Sequence, residues 1–139
     1  MAIEFYSEDV DLPKIDINKC EQWFAQVVEN QGFVVGDITI VFVSDNYLLE
    51  MNNQYLDHDY YTDIITFDYT EEKTVSGDLF ISVDTVLSNS QEFGVDYLNE
   101  LHRVMIHGVL HLIGFDDKSE EHQLEMTKME NSSLELLLN

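Results

Sequence analysis

Two histidines and an aspartate in the segment HGVLHLIGFDD, residues 107–117, are the residues of this 139-residue chain best suited to chemistry. His107 and His111 are four residues apart in a mainly apolar run, so on an α-helix they lie on one face, about 6 Å apart. An imidazole that is buried without a partner costs roughly 1–3 kcal/mol. Two such imidazoles indicate a shared partner, and we predict a divalent metal ion bound by both in their neutral form. A pair of ordinary core histidines is the alternative.

Gly114 predicts where this helix ends, because glycine readily adopts the backbone conformation that terminates a helix. The residues after it can then double back and offer a third ligand, and the spacing HxxxHxxGxxD selects Asp117. Catalytic zinc sites commonly have three protein ligands and a water in the fourth position. His122 is the competing third ligand. The sequence does not choose between Asp116 and Asp117 as the acid that transfers protons.

The residue after the first histidine limits the reaction that a metal could serve. The metalloprotease pattern HExxH requires a glutamate there as general base, and this chain has Gly108. Peptide hydrolysis is therefore disfavoured, whereas a metal ion that acidifies a water or polarises an oxygen suits acyl or phosphoryl transfer. Gly108 also costs about 1 kcal/mol relative to alanine inside a helix, so we expect another element to approach the backbone there.

The elements that must position these residues follow from the hydrophobic periodicity. We predict a single α+β domain over residues 1–139, with a mixed four-stranded sheet, about five helices and the metal site at the end of a long buried helix. The strand segments are IEFYSED, DITIVFVSD, IITFDY and SGDLFISVD, and the last two form an antiparallel hairpin. The first helix is expected to begin at an Asn18 cap and the second at a Ser44 or Asp45 cap. The other helices cover TVLSNSQEFG, DYLNELHRVMIHGVLHLIG and SEEHQLEMTKMENSSLELLL.

The composition restricts the partners of the protein. The chain has 28 acidic and 6 basic residues, a formal net charge of -22, and its basic residues are scattered, which argues against unaided binding to a polyanion. An RNA substrate would need a metal ion, a few well-placed residues or a basic partner protein to attract it. Cys20, the single cysteine, is expected to be a buried hydrophobe in a reducing compartment. Because we expect neither a signal peptide nor a membrane span, we predict a cytoplasmic protein that contacts no membrane and uses no nucleotide cofactor.

Three blocks of the sequence resemble the YbeY-like family of metal-dependent endoribonucleases, which are bacterial rRNA maturation factors. HGVLHLIGFDD matches the family signature HGxLHLxGYDH except at Phe115 and Asp117. MNNQYLDHDYYTDIITF, residues 51–67, resembles LNxxYRxxDxxTDVLSF, and GDLFIS, residues 77–82, resembles GDIxIS. The blocks occur in the family order, and the resemblance covers residues 37–130.

This resemblance implies an α+β sandwich with one zinc-like ion at the end of the long helix, held by His107 and His111. It also implies rRNA as the substrate and ribosomal subunits or ribosomal proteins as partners. Asp117 stands where the family has its third histidine. An aspartate oxygen can ligate zinc. Its extra negative charge is expected to make a bound water less acidic and to shift the metal preference toward harder ions.

A second departure from the family concerns phosphate binding. The family arginine expected after Tyr55 is Leu56 in this chain, and leucine can neither pair with a phosphate nor stabilise developing charge. Arg103, one turn before His107, could substitute in a catalytic role. The alternative is a surface salt bridge between Arg103 and Glu100.

Other residues in these blocks are weaker candidates. Thr62, Asp63 and Asp78 could orient metal ligands, although capping of a loop or strand end explains them equally well. His58 is expected to be a surface residue, and His102 to point away from the site. Aromatic residues could stack on bases but are more often core residues; they are Tyr55, Tyr60, Tyr61 and Phe67.

Two functional hypotheses follow. The first is a hydrolase, a metal-dependent endoribonuclease that acts in rRNA processing and ribosome biogenesis. The second is a non-catalytic ribosome-assembly factor with a structural metal, whose acidic surface binds basic ribosomal proteins. The net charge and Leu56 favour the second, whereas the paired histidines and the family signature favour the first.

Overall fold

Nine elements make up the computed structural model, which describes residues 2–56 and 62–138. The strands are β1 (Ala2–Ser7), β2 (Val34–Val43), β3 (Ile64–Asp68) and β4 (Thr74–Ser82). The helices are α1 (Ile17–Asn30), α2 (Asp45–Leu56), α3 (Val83–Phe93), α4 (Tyr97–Ile113) and α5 (Glu120–Leu138). The predicted fold class, an α+β domain with a four-stranded sheet and five helices, is confirmed.

The sheet is mixed and has the strand order β1-β2-β4-β3. β2 is parallel to both β1 and β4, while β3 is antiparallel to β4, as the predicted hairpin requires. Val43 and Ser82 pair where β2 and β4 end. The N–H of Ser82 also donates to the carbonyl oxygen of Asp63 at 2.9 Å, which places the start of β3 at this same edge.

The two faces of the sheet are covered unequally, because successive strand residues point to opposite sides. One face packs against α1 and α4, and α5 packs in turn on these two helices; together they form the main core. The other face forms a smaller cluster with α2. Strand residues in the main core are Ile38, Ile40, Phe42, Leu79 and Ile81, and those in the smaller cluster are Val41, Val43 and Ile65.

Helix α4 lies very close to the sheet at two glycines. A Cβ atom on Gly108 would lie 2.8 Å from Ile64 Cδ1 and 2.9 Å from Leu79 Cδ1. On the sheet side, a Cβ atom on Gly77 would lie 2.6 Å from Leu112 Cδ2. Both distances are well inside ordinary van der Waals contact. The close approach predicted at Gly108 is therefore confirmed.

The helix starts differ in part from the prediction. The carboxylate of Asp16 accepts a hydrogen bond from the N–H of Lys19 at 3.1 Å and caps α1. The predicted cap at Asn18 is wrong, because this acceptor two residues earlier begins the helix and leaves Asn18 inside the first turn. In α2 the hydroxyl oxygen of Ser44 accepts from the N–H of Tyr47 at 3.2 Å, so Ser44 is the cap.

Strand β2 begins at Val34, three residues before the predicted start at Asp37, and the strand register shifts between Val35 and Ile38. Cys20 is 1% exposed, as predicted, and burial raises the pKa of its thiol to about 11. The thiol is therefore protonated and unreactive at neutral pH. Among the helices of the described residues, none combines the length and the apolar character needed to cross a membrane.

Candidate metal centre

Helix α4 carries both histidines on its most accessible side. From Val104 to Ile113, every residue except His107 and His111 is buried. The two imidazole rings meet edge to face, with centroids 6.4 Å apart and an interplanar angle of 88°. The predicted shared face is confirmed. The histidines themselves are only partly buried, and the His107 side chain is 24% exposed.

The chain turns back after α4, as predicted. Gly114 has a backbone φ of 126°, which residues other than glycine rarely adopt. The N–H groups of Gly114 and Phe115 both donate to the carbonyl oxygen of Leu110, at 3.2 Å and 3.1 Å. This reversal brings Asp117 Oδ2 to 3.9 Å from His107 Nε2. The third residue of the predicted ligand set therefore lies beside the first.

The three predicted ligands are neighbours, but their side chains do not converge on one point. Within residues 2–56 and 62–138, no group of three or more His, Cys, Asp or Glu side chains is arranged to hold a metal ion. Two donors in a tetrahedral zinc site are roughly 3.4 Å apart, which is shorter than the 3.9 Å between His107 and Asp117. The Asp117 side chain is 54% exposed, so packing does not fix its rotamer. The assignment of His107, His111 and Asp117 as metal ligands therefore stays a prediction.

Glu130 of α5, which the sequence analysis missed, lies against His107. It is 8% exposed, and its Oε2 lies 2.7 Å from His107 Nδ1. An ionised carboxylate only accepts hydrogen bonds, so Nδ1 is the donor. The other oxygen, Oε1, accepts a hydrogen bond from Arg103 Nη1 at 2.9 Å. Glu130 thus links α4 to α5 and satisfies one nitrogen of His107, for which we predicted a metal ion or, as the alternative, an ordinary core position.

A signal for Glu130 was present in the sequence. The buried residues of α5 include Met126, Glu130, Ser133 and Leu137, which follow the spacing of one helix face. A glutamate on a buried face is almost never without a partner. The many polar residues of α5 obscured this face, so the helix was expected only to close the fold.

Burial and charge oppose each other at His107. Burial alone lowers its pKa, but the hydrogen bond to Glu130 and the negative charges of Glu130, Asp63 and Asp117 outweigh burial and raise the pKa above its ordinary value. Burial also raises the pKa of Asp63 and of Glu100, despite the nearby positive charges. Such a concentration of carboxyl groups produces a local field that favours a bound cation.

The rival ligand His122 belongs to a separate pair. Its Nδ1 lies 2.7 Å from Asp116 Oδ1, which also accepts a hydrogen bond from the N–H of Lys118 at 3.1 Å. The Lys118 N–H is the largest cause that lowers the pKa of Asp116, and the hydrogen bond to His122 adds to it. His122 is 52% exposed. Asp117, rather than His122, is therefore the neighbour of His107.

Arg103 is held between α4 and α5. Besides its bond to Glu130, its Nη2 donates to Asn131 Oδ1 at 2.7 Å. The expected pairing with Glu100 is wrong, because the carboxylate of Glu130 from the neighbouring helix occupies the guanidinium instead. A guanidinium with two fixed hydrogen bonds is less available to a phosphate, and the predicted catalytic role of Arg103 stays a prediction.

The remaining candidates divide by position. Asp63 is close enough to shift the pKa of His107. Asp78 lies between Gly77 and Leu79 on β4, and both of these neighbours face α4. Because successive strand residues point to opposite faces, Asp78 lies on the other face of the sheet. There it accepts a hydrogen bond from the hydroxyl of Tyr69 at 3.3 Å. The prediction that Asp78 could orient metal ligands is therefore wrong.

Other candidates lie away from the site or outside the described residues. The ring of His102 packs edge-on against that of Trp23, with centroids 5.8 Å apart, and so points away as predicted. His58, Tyr60 and Tyr61 and the side chains of Tyr55 and Leu56 lie outside the described residues.

The donor chemistry of the site suits a divalent cation. Metal-binding histidines usually donate the N–H of their other ring nitrogen to a carboxylate or carbonyl, and His107 has this arrangement with Glu130. His111 lies one helical turn away, and the Asp117 carboxylate lies near His107 Nε2. Histidine nitrogen and aspartate oxygen are both common zinc ligands. The residue types present therefore fit a metal ion, although these three side chains do not converge on one point in the structure.

Fold and site together define a small α+β domain with a histidine–carboxylate centre at the end of its central helix. The family model described as Endoribonuclease YbeY matches residues 3–137. A Parabacteroides distasonis protein named Endoribonuclease YbeY is 52% identical over 137 residues, 99% of this chain and 96% of that protein. A Bacteroides thetaiotaomicron protein of the same name is 47% identical over 134 residues, 96% of this chain and 98% of that protein. The chain belongs to the YbeY endoribonuclease family, as its resemblance predicted.

A solved structure agrees with this assignment. The solution structure of TM1509 from Thermotoga maritima is similar to this chain with a TM-score of 0.69 and 27% sequence identity. The similarity covers 98% of this chain and 89% of that protein. Nearly the whole chain therefore shares this α+β architecture.

Proposed function

We propose that this protein is a cytoplasmic, metal-dependent endoribonuclease that acts in rRNA processing and ribosome maturation. The observation that carries the proposal is the arrangement at His107. Its Nδ1 is held by Glu130, its Nε2 is 3.9 Å from Asp117, and His111 lies one turn away on the same face. The relatives named Endoribonuclease YbeY supply the substrate class.

In this proposal His107, His111 and Asp117 hold one divalent ion, with zinc expected from the ligand types. When bound there, such an ion would make a water more acidic and polarise a phosphoryl oxygen. Asp116 and Asp117, the carboxylates nearest to the two histidines in sequence, are the candidates to accept or return a proton. The carboxylates of Asp63 and Glu130 place negative charge around the centre, which favours binding of the cation. Without the cation, the same charge would repel the phosphates of RNA.

Cleavage of single-stranded RNA by metal-loaded protein tests the proposal. We expect the wild-type protein to cleave, the His111→Ala variant to fall to background, and the Glu125→Gln variant to cleave normally. Glu125 is exposed on α5 and is the matched control for purification and charge. Equal rates for wild type and His111→Ala would assign the cleavage to a contaminant and reject a catalytic metal centre.

One observation favours a second candidate, a non-catalytic ribosome-assembly factor with a structural metal. Arg103, the cation nearest the histidines in sequence, is engaged by Glu130 and Asn131, and the chain has a net charge of -22. An acidic surface of this kind would bind basic ribosomal proteins. Pull-down on ribosomal subunits should then weaken sharply as salt rises, because exposed charges are screened. Salt-independent capture, or none, would contradict this candidate.

A further inference from the structure

The two oxygens of Glu130 serve different partners. Oε2 accepts from His107 Nδ1 at 2.7 Å, and Oε1 accepts from Arg103 Nη1 at 2.9 Å. Arg103 is itself held on its other terminal nitrogen by Asn131, at 2.7 Å. A carboxylate bonded through both oxygens is fixed in rotation as well as in position. The plane of the Glu130 carboxylate, and so the direction of the hydrogen bond to His107, is set by groups on two helices.

This arrangement determines which nitrogen of His107 carries the proton. A neutral imidazole has one N–H and one unprotonated nitrogen. Because Glu130 requires a donor, the neutral ring has its proton on Nδ1, and Nε2 is the nitrogen with a free lone pair. Nε2 is also the nitrogen that faces Asp117, at 3.9 Å. The orientation that satisfies Glu130 is thus the one that presents a metal-binding atom to the candidate ligands.

Burial makes this orientation specific. The Glu130 side chain is 10% exposed and that of His107 is 24% exposed, so water competes weakly for their hydrogen bond. Removing Glu130 would leave a buried Nδ1–H without its acceptor, which is costly. A ring without that acceptor is free to take the other tautomer or to turn, and both changes remove the lone pair from its present direction.

We propose that Glu130 is a positioning residue for His107, which it fixes in the Nδ1–H tautomer with Nε2 toward Asp117, and that Arg103 acts by orienting Glu130. The inference rests on the proposed function, because a fixed ligand orientation has a purpose only where a metal is bound. It also gives Arg103 a structural task in place of direct phosphate contact.

The tautomer is measured by nitrogen NMR of the histidine rings in metal-free protein, in alkaline buffer where the imidazoles are neutral. We expect wild-type His107 to be the Nδ1–H tautomer. In Glu130→Gln we expect a mixture or the Nε2–H tautomer, while the signals of His122 stay unchanged. A general loosening of the fold would not switch one ring and spare the other. Wild-type His107 in the Nε2–H tautomer overturns the proposal, and that result needs no variant to fold.

Metal affinity gives a second readout that does not depend on RNA cleavage. In competition with a chelator, Glu130→Gln should bind zinc about 10–100-fold more weakly than wild type, as is typical when the carboxylate partner of a metal-binding histidine is lost. Glu125→Gln on the same helix is the matched control and should bind within about twofold of wild type, a difference of under ~0.5 kcal/mol. Unchanged zinc affinity in Glu130→Gln overturns the positioning role.

If circular dichroism shows Glu130→Gln to be unfolded, Arg103→Gln replaces it, because this variant keeps Glu130 and removes only its orienting partner. Arg103→Gln should then show the altered tautomer ratio of His107, and the wild-type ratio would contradict the role of Arg103. Failure of the proposed function is distinct from these outcomes. Protein that shows the expected tautomer and zinc affinity but cleaves no RNA retains the positioning role and loses only the nuclease activity.

Discussion

Two histidine–carboxylate pairs in this protein have the same length and very different surroundings. His107 Nδ1 lies 2.7 Å from Glu130, and His122 Nδ1 lies 2.7 Å from Asp116. The side chains of the first pair are 24% and 10% exposed, and those of the second are 52% and 29% exposed. The inner pair joins α4 to α5, whereas the outer pair joins the first turn of α5 to the loop just before it.

The distance between the two partners does not by itself set how much a hydrogen-bonded pair contributes to stability. Exposed pairs add little to the free energy of unfolding, because water and salt screen the charges and the side chains lose rotamer freedom. Removing one member of a buried pair is costly, because the other is left without a partner. The inner pair is therefore expected to carry stability and orientation, and the outer pair to be dispensable for both.

The largest expected effect comes from removing the inner carboxylate. Glu130→Ala should lower the free energy of unfolding by about 2–4 kcal/mol, because Arg103 and His107 both lose their acceptor in a poorly solvated place. Asp116→Ala should leave the urea midpoint unchanged within error. Urea unfolding of metal-free proteins measures both. Equal losses of stability in the two variants would show that burial does not distinguish the two pairs.

A double-mutant cycle measures how strongly Arg103 and Glu130 depend on each other. Arg103→Gln and Glu130→Gln, singly and together, should give a coupling energy of about 1–2 kcal/mol, since the two residues share one network. The corresponding cycle for Asp116→Asn and His122→Gln should give no measurable coupling. A coupling near zero for the inner network would mean that Arg103 does not orient Glu130.

The smallest effect is a pH dependence at a histidine without a carboxylate. Burial, and then the charge of Lys19, lower the pKa of His102. A group whose pKa is lower in the folded state contributes stability above its unfolded pKa, near 6.5, and that stability is lost as the pH falls through the folded value. Wild-type protein should thus lose stability between about pH 7 and pH 5 more steeply than His102→Gln. Parallel pH profiles of the two unfolding curves would contradict this.

The fold was predictable because its signals are local. Strand alternation, the hairpin and the helix end at Gly114 each follow from a few neighbouring residues. The two faces of the sheet could also be anticipated, since alternate residues of DITIVFV enter different cores. The cap predicted at Asn18 and the start of β2 predicted at Asp37, three residues too late, are boundary errors, which arise where several acceptors or β-favouring residues lie side by side.

The site was predictable only in part. The shared face of His107 and His111 and the return of Asp117 follow from helix geometry and from one glycine. The partner of His107 does not, because Glu130 lies 23 residues further along the chain and reaches the ring only through the packing of α5 on α4. For the same reason Arg103 was assigned a partner on its own helix, when the observed one is on another.

The order of the strands has a consequence for how quickly the chain can find its native state. The β3–β4 hairpin can form early from adjacent segments, but the central β2–β4 pairing joins parallel strands with α2 and β3 between them in sequence. Such non-local pairing requires closure of a long loop before any contact is gained. Folding is thus expected to be slower than that of helical bundles, which fold in microseconds to milliseconds. The β3–β4 hairpin would therefore form before β2 of the N-terminal half pairs with β4.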